Sequence, residues 1–355
     1  MLRAFAVLLS LAAVAALVNS TPAPPVRVGP QPGGGFLLHT GWTITPAGKQ
    51  IPLSTLPMSM AASPDGKYVL VLNGGYLPPS ISVIDVAAER EVARAPVEDA
   101  WLGLAFNGKG DRVWAGGGSR PFVFEFSFEN GELKPARQFA AIRDPQPSDH
   151  VGDVALSPDG RFLYAASLFR NSITVMNALT GYVVREIPTG RRPYRIVFAP
   201  GGNTFYVSHW ADSTVGQYNA ADGTRLDNIS AGAHPADMLY LAGRNAAKDD
   251  EPAYVGRLFV ACANTNSVSV LGVTEGNQAR LIERINVAPT PRAPAGTTPS
   301  ALGLSPDRSR LYVACSDNNA VAVVDVTDYG SNVEGFIPTS WYPTAVRAAS
   351  DVSLM

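Results

Sequence analysis

Four side chains at equivalent places along the sequence could bind a polar ligand or take part in hydrolysis. They are His150, Arg192, His234 and Tyr342, and the first three are separated by 42 residues each. Histidine exchanges a proton near neutral pH, and the arginine guanidinium offers a planar fork of donors to carboxylate or phosphate. A base and a cation on one surface would bind an anion or a polar ligand, provided that the fold places these positions side by side.

Further side chains adjoin the same positions. Trp101 and Arg191 are immediate neighbours and join the four as candidate ligand-binding residues, with Trp341 beside them. The alternative interpretation for the whole set is that its members are ordinary residues on a solvated rim. At the equivalent positions of the other repeats stand Leu56, Ala100 and Thr298.

The sequence has no motif for a metal site, a cofactor or an activated nucleophile. Its four histidines form no His-x-His or His-Glu-x-x-His pair, and its two cysteines lack zinc spacing. Neither Gly-x-Ser-x-Gly nor Ser-x-x-Lys occurs. We therefore assign no catalytic residue and no metal ligand from a motif, and expect no cofactor. His209, beside Trp210, is expected to pack internally or to contact a loop.

The two cysteines, Cys262 and Cys315, occupy the same place in adjacent repeats. Packed sheets lie about 10 Å apart, whereas the Cα atoms of a disulfide are closer than about 7 Å. The sequence therefore predicts two free, buried thiols, with a disulfide as the alternative.

The elements that position these residues are copies of one unit, shown most clearly by residues 299–326, PSALGLSPDRSRLYVACSDNNAVAVVDV. Its apolar runs, separated by a Ser-Pro-Asp turn and an Asn-Asn turn, are typical of three antiparallel strands. The first residue of this turn marks the same place in each repeat. The markers are Ser63, Asn107, Ser157, Ala199, Leu241, Ser305 and Ala349. Successive markers are 44, 50, 42, 42, 64 and 44 residues apart.

A period near 44 residues with three or four short strands predicts an all-β, seven-bladed β-propeller. The inner strand of each blade lines the central channel, so the residue before it lies at the channel mouth. The seventh repeat begins at Pro343 and has little beyond an inner strand. The strands predicted near 36–45 and 50–53 have no inner strand of their own. We expect these N-terminal strands to complete the last blade, which remains incomplete, and the chain to be a fragment of a longer protein.

The N-terminus predicts export. Arg3 precedes an almost wholly apolar run at 5–18, typical of a secretory signal peptide over residues 1–20, with an uncleaved anchor as the alternative. Residues 21–35 are predicted to be a flexible leader and 36–355 the propeller, located in the periplasm or outside the cell and free of the membrane after cleavage. The net charge of −2 argues against a nucleic-acid partner, and 46% hydrophobic residues suffice for a core.

The units resemble YVTN-type propeller repeats, most clearly in Leu311-Tyr312-Val313-Ala314 and Phe205-Tyr206-Val207-Ser208. The runs GWTITPAGKQIPL, HWADSTV, AHPADMLYL and GFIPTSWYPTAV are similar to the propeller half of exported bifunctional proteins. In those proteins the propeller precedes an alkaline-phosphatase-like phosphoesterase domain. That domain is absent from this chain, so the resemblance implies a partner domain and transfers no phosphatase activity.

Three functions are compatible with these observations. The first is a non-catalytic exported platform that binds a small anionic or polar ligand, or a protein. The second is a lactonase-type hydrolase, since similar seven-bladed propellers include lactone-opening enzymes; His234 or His150 would be the base and Arg192 would stabilise the oxyanion. A quinone- or haem-binding oxidoreductase is a weaker third, because no Cys-x-x-Cys-His occurs.

Overall fold

The computed structural model describes residues 27–243, 254–328 and 330–348. The predicted signal peptide, the charged insert at 244–251 and the marker Ala349 lie outside these ranges. The chain divides into two compact units, at Thr45 and Pro46. Within the described residues no helix has the length and apolar character needed to cross a membrane.

The first unit contains one small antiparallel sheet. Its strands are β1 (Gly29–Pro30), β2 (Phe36–Leu37) and β3 (Thr43–Ile44), with β2 in the middle. Two of them fall where the sequence predicts N-terminal strands. β1 lies inside the stretch assigned to the leader, so this sheet begins before residue 36.

The second unit consists of six four-stranded antiparallel sheets in chain order. Blade one contains β4 (Pro57–Ala62), β5 (Tyr68–Asn73), β6 (Ser80–Asp85) and β7 (Arg90–Pro96). Blade two contains β8 (Leu104–Phe106), β9 (Arg112–Gly116), β10 (Phe122–Glu129) and β11 (Glu132–Ala140). Blade three contains β12 (Val151–Leu156), β13 (Phe162–Ser167), β14 (Ser172–Asn177) and β15 (Val183–Pro188).

The remaining three blades repeat the pattern. Blade four contains β16 (Pro193–Phe198), β17 (Thr204–His209), β18 (Thr214–Asn219) and β19 (Arg225–Ser230). Blade five contains β20 (Pro235–Ala242), β21 (Tyr254–Cys262), β22 (Ser267–Thr274) and β23 (Ala279–Asn286). Blade six contains β24 (Pro299–Leu304), β25 (Arg310–Cys315), β26 (Ala320–Asp325) and β27 (Asn332–Pro338), with a short 3₁₀ helix at Ser316–Asn318.

The innermost strands β4, β8, β12, β16, β20 and β24 contact one another in that order around a common hub. Residues 343–348 follow β27 and continue the circle between β24 and β4. Thr344 Oγ1 donates a hydrogen bond to the carbonyl of Pro57, and Ser316 Oγ donates one to the carbonyl of Pro343 at 2.7 Å. The fold is therefore the expected all-β, seven-bladed propeller, and its seventh position is the incomplete one.

The Ser-Pro-Asp turns explain why each inner strand reverses where it does. Ser63 Oγ donates to the Asp65 carboxylate at 2.6 Å and accepts the backbone N–H of Tyr68 at 3.0 Å. Gly66 completes the turn with a φ of 71°, which glycine adopts without a steric penalty. The equivalent bonds at Asp159, led by that from the Ser157 hydroxyl, lower the pKa of its carboxyl group to about 2.

Blades are held together by apolar side chains from facing sheets. Between blades one and two, for example, Leu72 and Ile81 pack in one buried cluster with Val113 and Phe124. Burial of this kind contributes about 25 cal/mol per Å² of apolar surface removed from water. A single sheet would leave its apolar faces exposed to water, so the closed ring is the stable arrangement of these blades.

Both cysteines are buried and free, as the repeat phase predicts. Burial raises the pKa of the Cys315 thiol to about 12 and also raises that of Cys262. We therefore expect neither thiol to react with Ellman's reagent in the native protein, and both to react in denaturant. A native protein that releases one equivalent of chromophore at once, or a denatured one that releases none, would contradict this.

Candidate functional site

The residues that precede the inner strands share an unusual backbone conformation. Five of the seven have positive φ, namely Leu56 (48°), Arg192 (58°), His234 (55°), Thr298 (52°) and Tyr342 (58°), and a proline follows each. A left-handed conformation costs a non-glycine residue about 1–2 kcal/mol, so the surrounding bonds must hold it. Their carbonyls accept N–H groups from the adjoining hairpin, such as Trp210 N–H to Arg192 at 3.0 Å. Equivalent positions thus lie at the same end of their blades.

Two of the predicted site residues meet at one aromatic ring. The imidazole of His150 is edge-on to Phe169, with 6.2 Å between ring centroids, and the guanidinium of Arg192 lies 4.2 Å from the centroid of Phe169. Phe169, 45% exposed, belongs to the β13–β14 hairpin of blade three. The imidazole is also edge-on to Trp101 at 5.4 Å. The structure thus brings Trp101, His150 and Arg192 into one cluster, which we call the mouth cluster.

His234 belongs to an adjoining stacked pair. Its ring lies 3.8 Å from the ring of Trp210, with 7° between their planes. Trp210 is connected to Arg192 by the backbone hydrogen bond given above, so blades three, four and five meet here. The two tryptophans and Phe169 give the mouth cluster apolar faces beside its ionisable groups.

The protonation of His150 follows from its surroundings. Burial lowers the pKa of the imidazole below 6.5, and the Asp99 carboxylate opposes this by favouring the charged form. Asp99 is itself held by the backbone N–H and the hydroxyl of Ser119, at 2.8 and 2.5 Å. The imidazole is therefore neutral at pH 7 and able to accept a proton, which a general base requires.

Arg192 carries the cation that is available to a ligand. It is exposed, and within the described residues no carboxylate forms an ion pair with it. Its neighbour Arg191 is engaged instead, since its Nε lies 2.5 Å from the Asp212 carboxylate and its backbone N–H donates to the same group. The candidate Arg191 therefore serves to fix a loop, whereas the guanidinium of Arg192 is left without an ion pair among the residues that the structure describes.

Tyr342 is not part of the mouth cluster. Its backbone N–H donates to Asn319 Oδ1 at 2.8 Å, and its ring lines a groove between blades six and one. In the described part of the chain no ring contact or hydrogen bond joins its phenol to His150, Arg192 or His234. The shared backbone position thus placed Tyr342 at the same end of the ring but not in the same site.

One polar atom of the mouth cluster lacks a partner. The indole Nε1 of Trp101 is buried and makes no hydrogen bond to any residue that the structure describes. A buried donor without an acceptor costs about 1–3 kcal/mol.

An ionic cluster inside the ring was missed by the sequence reading. Arg195 Nη1 lies 3.0 Å from the Asp153 carboxylate, and Arg195 Nε lies 2.9 Å from that of Asp237. Each carboxylate also accepts a backbone N–H from the next blade, that of Ile196 at 2.8 Å and that of Leu302 at 2.8 Å. All three charged residues stand two positions after the start of their inner strands, which is the signal that could have revealed them.

The bonds of this ionic cluster are structural. Burial raises the pKa of both carboxyl groups, the positive charge of Arg195 opposes that rise, and Asp153 raises the pKa of Arg195 in turn. The neighbouring Tyr194 has its pKa raised to about 12, chiefly by burial. The cluster ties blades three, four, five and six together at the hub.

His209 is a packing residue, as the sequence suggests. It is fully buried, with Nδ1 3.0 Å from Thr214 Oγ1 and Nε2 3.2 Å from the Tyr218 hydroxyl. Burial lowers its pKa to about 4, so it stays neutral. Among the residues that the structure describes, no group of three or more His, Cys, Asp or Glu side chains could hold a metal ion.

Part of the mouth cluster lies within a family match. Residues 118–234 match the model of the family "Lactonase, 7-bladed beta-propeller". The match covers about a third of the chain. It includes His150, Arg192 and His234, and agrees with the fold described above.

Similar proteins carry the same architecture. Hydrazine synthase subunit beta of Kuenenia stuttgartiensis is 28% identical over 154 residues, which are 32% of this chain and 39% of that protein. The solved hydrazine synthase of that organism aligns with a TM-score of 0.65 at 15% identity, covering 86% of this chain and 93% of the other. The periplasmic gluconolactonase of Pseudomonas aeruginosa aligns with a TM-score of 0.65 at 15% identity, covering 92% and 97%.

These likenesses establish the propeller fold. They do not show YVTN repeats or a phosphoesterase-linked partner, and that resemblance stays a prediction. The non-catalytic platform finds no support in them, and the family match over residues 118–234 is to a lactonase model.

Proposed function

We propose that this chain is a lactonase-type hydrolase that opens a cyclic ester at the mouth cluster. The observation that carries the proposal is the meeting of a neutral His150 and of Arg192, which has no ion pair among the described residues, at the ring of Phe169. One group accepts a proton and the other stabilises negative charge, which are the two needs of ester hydrolysis. The lactonase family match over 118–234 supports the same assignment.

The proposed reaction uses only groups of this site. His150 accepts a proton from water as the water oxygen bonds to the ester carbonyl carbon. The carbonyl oxygen becomes an oxyanion, which the guanidinium of Arg192 stabilises. When the ring C–O bond breaks, His150 returns its proton to the departing oxygen, and a hydroxy acid results. No net proton, electron or co-reactant other than water is required before the acid product ionises.

Sugar lactones are the substrate class that we propose. The gluconolactonase among the similar structures is named for such a substrate. The faces of Phe169 and Trp210 offer apolar surfaces to the C–H face of a sugar ring.

The test is hydrolysis of D-glucono-1,5-lactone by the full chain, followed by acid release in a pH-stat above the spontaneous rate. Arg192→Ala is expected to lower kcat/KM about 10²–10³-fold, since that is the effect of losing one oxyanion donor. His234→Ala, which removes the stacking partner of Trp210, is expected to raise KM more than it lowers kcat.

A control is Arg161→Ala, which removes an exposed arginine from the β12–β13 turn of blade three. Its activity should equal that of the wild type. Lactones left unhydrolysed by the folded wild-type protein, or full activity in Arg192→Ala, would remove the basis of the proposal.

A further inference from the structure

A cavity of about 610 Å³ lies where blade four adjoins blade five, away from the mouth cluster. Its walls come from the segment after β19, the β21–β22 hairpin, the outer strand β23 and the loop that follows β23. We call it the rim cavity. Its size is within the range of about 300–1,000 Å³ that is usual for small-molecule sites. No residue of the mouth cluster lines it.

The loop that forms one wall is long and held in place. Twelve residues, 287–298, join β23 to β24, whereas four, 189–192, join β15 to β16. Asn266, in a left-handed conformation with a φ of 51°, fastens this loop. Its Nδ2 donates to the Pro294 carbonyl at 2.8 Å, and its Oδ1 accepts the backbone N–H of Gly296 at 2.9 Å. Long loops in compact domains are usually functional, and this one gives the rim cavity a fixed wall.

The rim cavity contains a cation and no carboxylate. Arg284, on β23, is the only ionisable side chain among the residues that line it. Its guanidinium forms no ion pair with any residue that the structure describes. Burial raises the pKa of the Cys262 thiol, and the charge of Arg284 opposes that rise. Cys262 lies behind Gly232, whose backbone N–H is 3.2 Å from the sulfur, so the positive charge acts at the wall of the cavity.

Asn286 adds an amide beside this cation. It stands two positions after Arg284 on β23, and because side chains alternate along a strand, both lie on the same face and line the cavity. Its Oδ1 accepts the backbone N–H of Ala288 at 3.0 Å, which fixes the orientation of the amide. Among the described residues no group accepts a hydrogen bond from its Nδ2. The amide can therefore donate to the same ligand as the guanidinium.

Ser267 supplies an acceptor. It is 8% exposed, and its Oγ lies 2.8 Å from the hydroxyl oxygen of Thr265. Thr265 gives its one hydroxyl proton to the carbonyl of Cys262 at 3.1 Å, so Ser267 is the donor between the two hydroxyls. The Ser267 oxygen thus keeps a lone pair for a hydroxyl group of a ligand.

We propose that the rim cavity binds a small anion that also carries a hydroxyl group, namely a hydroxy carboxylate or a polyol phosphate. The guanidinium of Arg284 matches the paired oxygens of carboxylate or phosphate, and the Asn286 amide donates to the same group. Ser267 accepts the hydroxyl. The two kinds of ligand share this chemistry, and the site does not depend on the proposed hydrolysis.

The experiment is isothermal titration calorimetry of the full chain at constant ionic strength, with D-glycerate and sn-glycerol 3-phosphate as probes. At least one is expected to bind saturably with one-to-one stoichiometry, and the tighter one identifies the source of the oxyanion. Propionate and propyl phosphate, which have the same number of carbons and no carbon-bound hydroxyl, should bind at least tenfold more weakly. Arg192→Ala should bind the probe unchanged, since that residue belongs to the mouth cluster.

Two variants locate the binding. Arg284→Ala should weaken it at least tenfold, and so should Asn286→Asp, which keeps the acceptor for the Ala288 N–H but replaces the amide donor with a negative charge. Arg225→Ala, at an exposed position on the outer strand β19 of blade four, is the matched control and should bind as the wild type does.

Four results would each overturn the proposal. They are no binding of either probe, full binding by Arg284→Ala or Asn286→Asp, loss of binding in Arg192→Ala, and equal binding of the analogues without hydroxyl groups. Both variant positions are exposed, so the variants are expected to fold, and the urea midpoint checks this.

Discussion

Replacing Arg195 with methionine is expected to lower the free energy of unfolding by about 3–5 kcal/mol, the usual effect of removing one partner from a buried ion pair. The reason lies in the two carboxylates that remain, since the side chains of Asp153 and Asp237 are only 2% and 13% exposed. Both would be left buried and close together without their ion-pair partner, and the charge of Arg347 would act on Asp237 alone of the two by the interactions that the structure records. Urea denaturation monitored by tryptophan fluorescence measures the loss.

The pH dependence of that loss distinguishes charge from packing. Burial already raises the pKa of both carboxyl groups, and removal of Arg195 raises it further. Such a carboxyl group has a higher pKa in the folded than in the unfolded state. Its contribution to the stability of the fold is fully present below the unfolded pKa and is lost as the pH rises through the folded pKa. The loss of free energy of unfolding that Arg195→Met causes, relative to the wild type, should therefore be smaller at pH 4.5 than at pH 7.5. An equal deficit at both pH values would indicate lost packing alone.

The exposed ion pair of Arg161 with Asp159 is the control for this experiment. Its atoms lie 2.6 Å apart, but the arginine side chain is 72% exposed. Exposed ion pairs contribute between 0 and about 1 kcal/mol to the free energy of unfolding, because water screens the charges and the side chains lose conformational entropy. Arg161→Met should accordingly unfold near the wild-type urea concentration.

Replacing His150 with phenylalanine is expected to lower kcat for lactone hydrolysis about 10²–10⁴-fold, the range for loss of a general base. Phenylalanine keeps an aromatic ring between Trp101 and Phe169, so KM and the urea midpoint should change little. A loss of activity that appears wholly in KM would assign His150 to binding and not to proton transfer.

If the proposed hydrolysis is observed, the pH profile of the wild-type protein provides the second readout. Burial lowers the pKa of His150 from 6.5, and only the neutral imidazole accepts a proton. kcat/KM should therefore be constant from pH 7 to 8 and fall only below about pH 6.5. Asp99→Asn removes the carboxylate that favours the charged imidazole, so the pH below which kcat/KM falls should be lower in this variant. A shift of that pH to a higher value would contradict the assigned role of Asp99.

The architecture could be predicted from the sequence because its determinants are local. Alternating apolar residues, a Ser-Pro-Asp turn and a fixed period specify a strand, its reversal and its copies without knowledge of distant contacts. The bonds of Ser63 and Ser157 in their turns are those expected from the residue types. The incomplete seventh blade followed from the same register.

The site could be predicted only in part, because register fixes the position of a backbone but not the direction of a side chain. His150 and Arg192 converge, whereas Tyr342, at an equivalent position, turns into the groove between blades. Phe169 was missed because it stands in a hairpin that sequence periodicity does not describe. The buried ions were missed because Asp153 and its partner Arg195 are 42 residues apart, and carboxylates are rarely buried in strands.

The left-handed residues before the inner strands have a consequence for how this protein can change. Main-chain hydrogen bonds such as that from Trp210 N–H to Arg192 hold this conformation, and residues as different as leucine, arginine, histidine, threonine and tyrosine occupy the position. The scaffold is therefore indifferent to chemical identity at these points. Substitutions at these positions are therefore expected to change the chemistry of the channel mouth one side chain at a time while the ring keeps its fold.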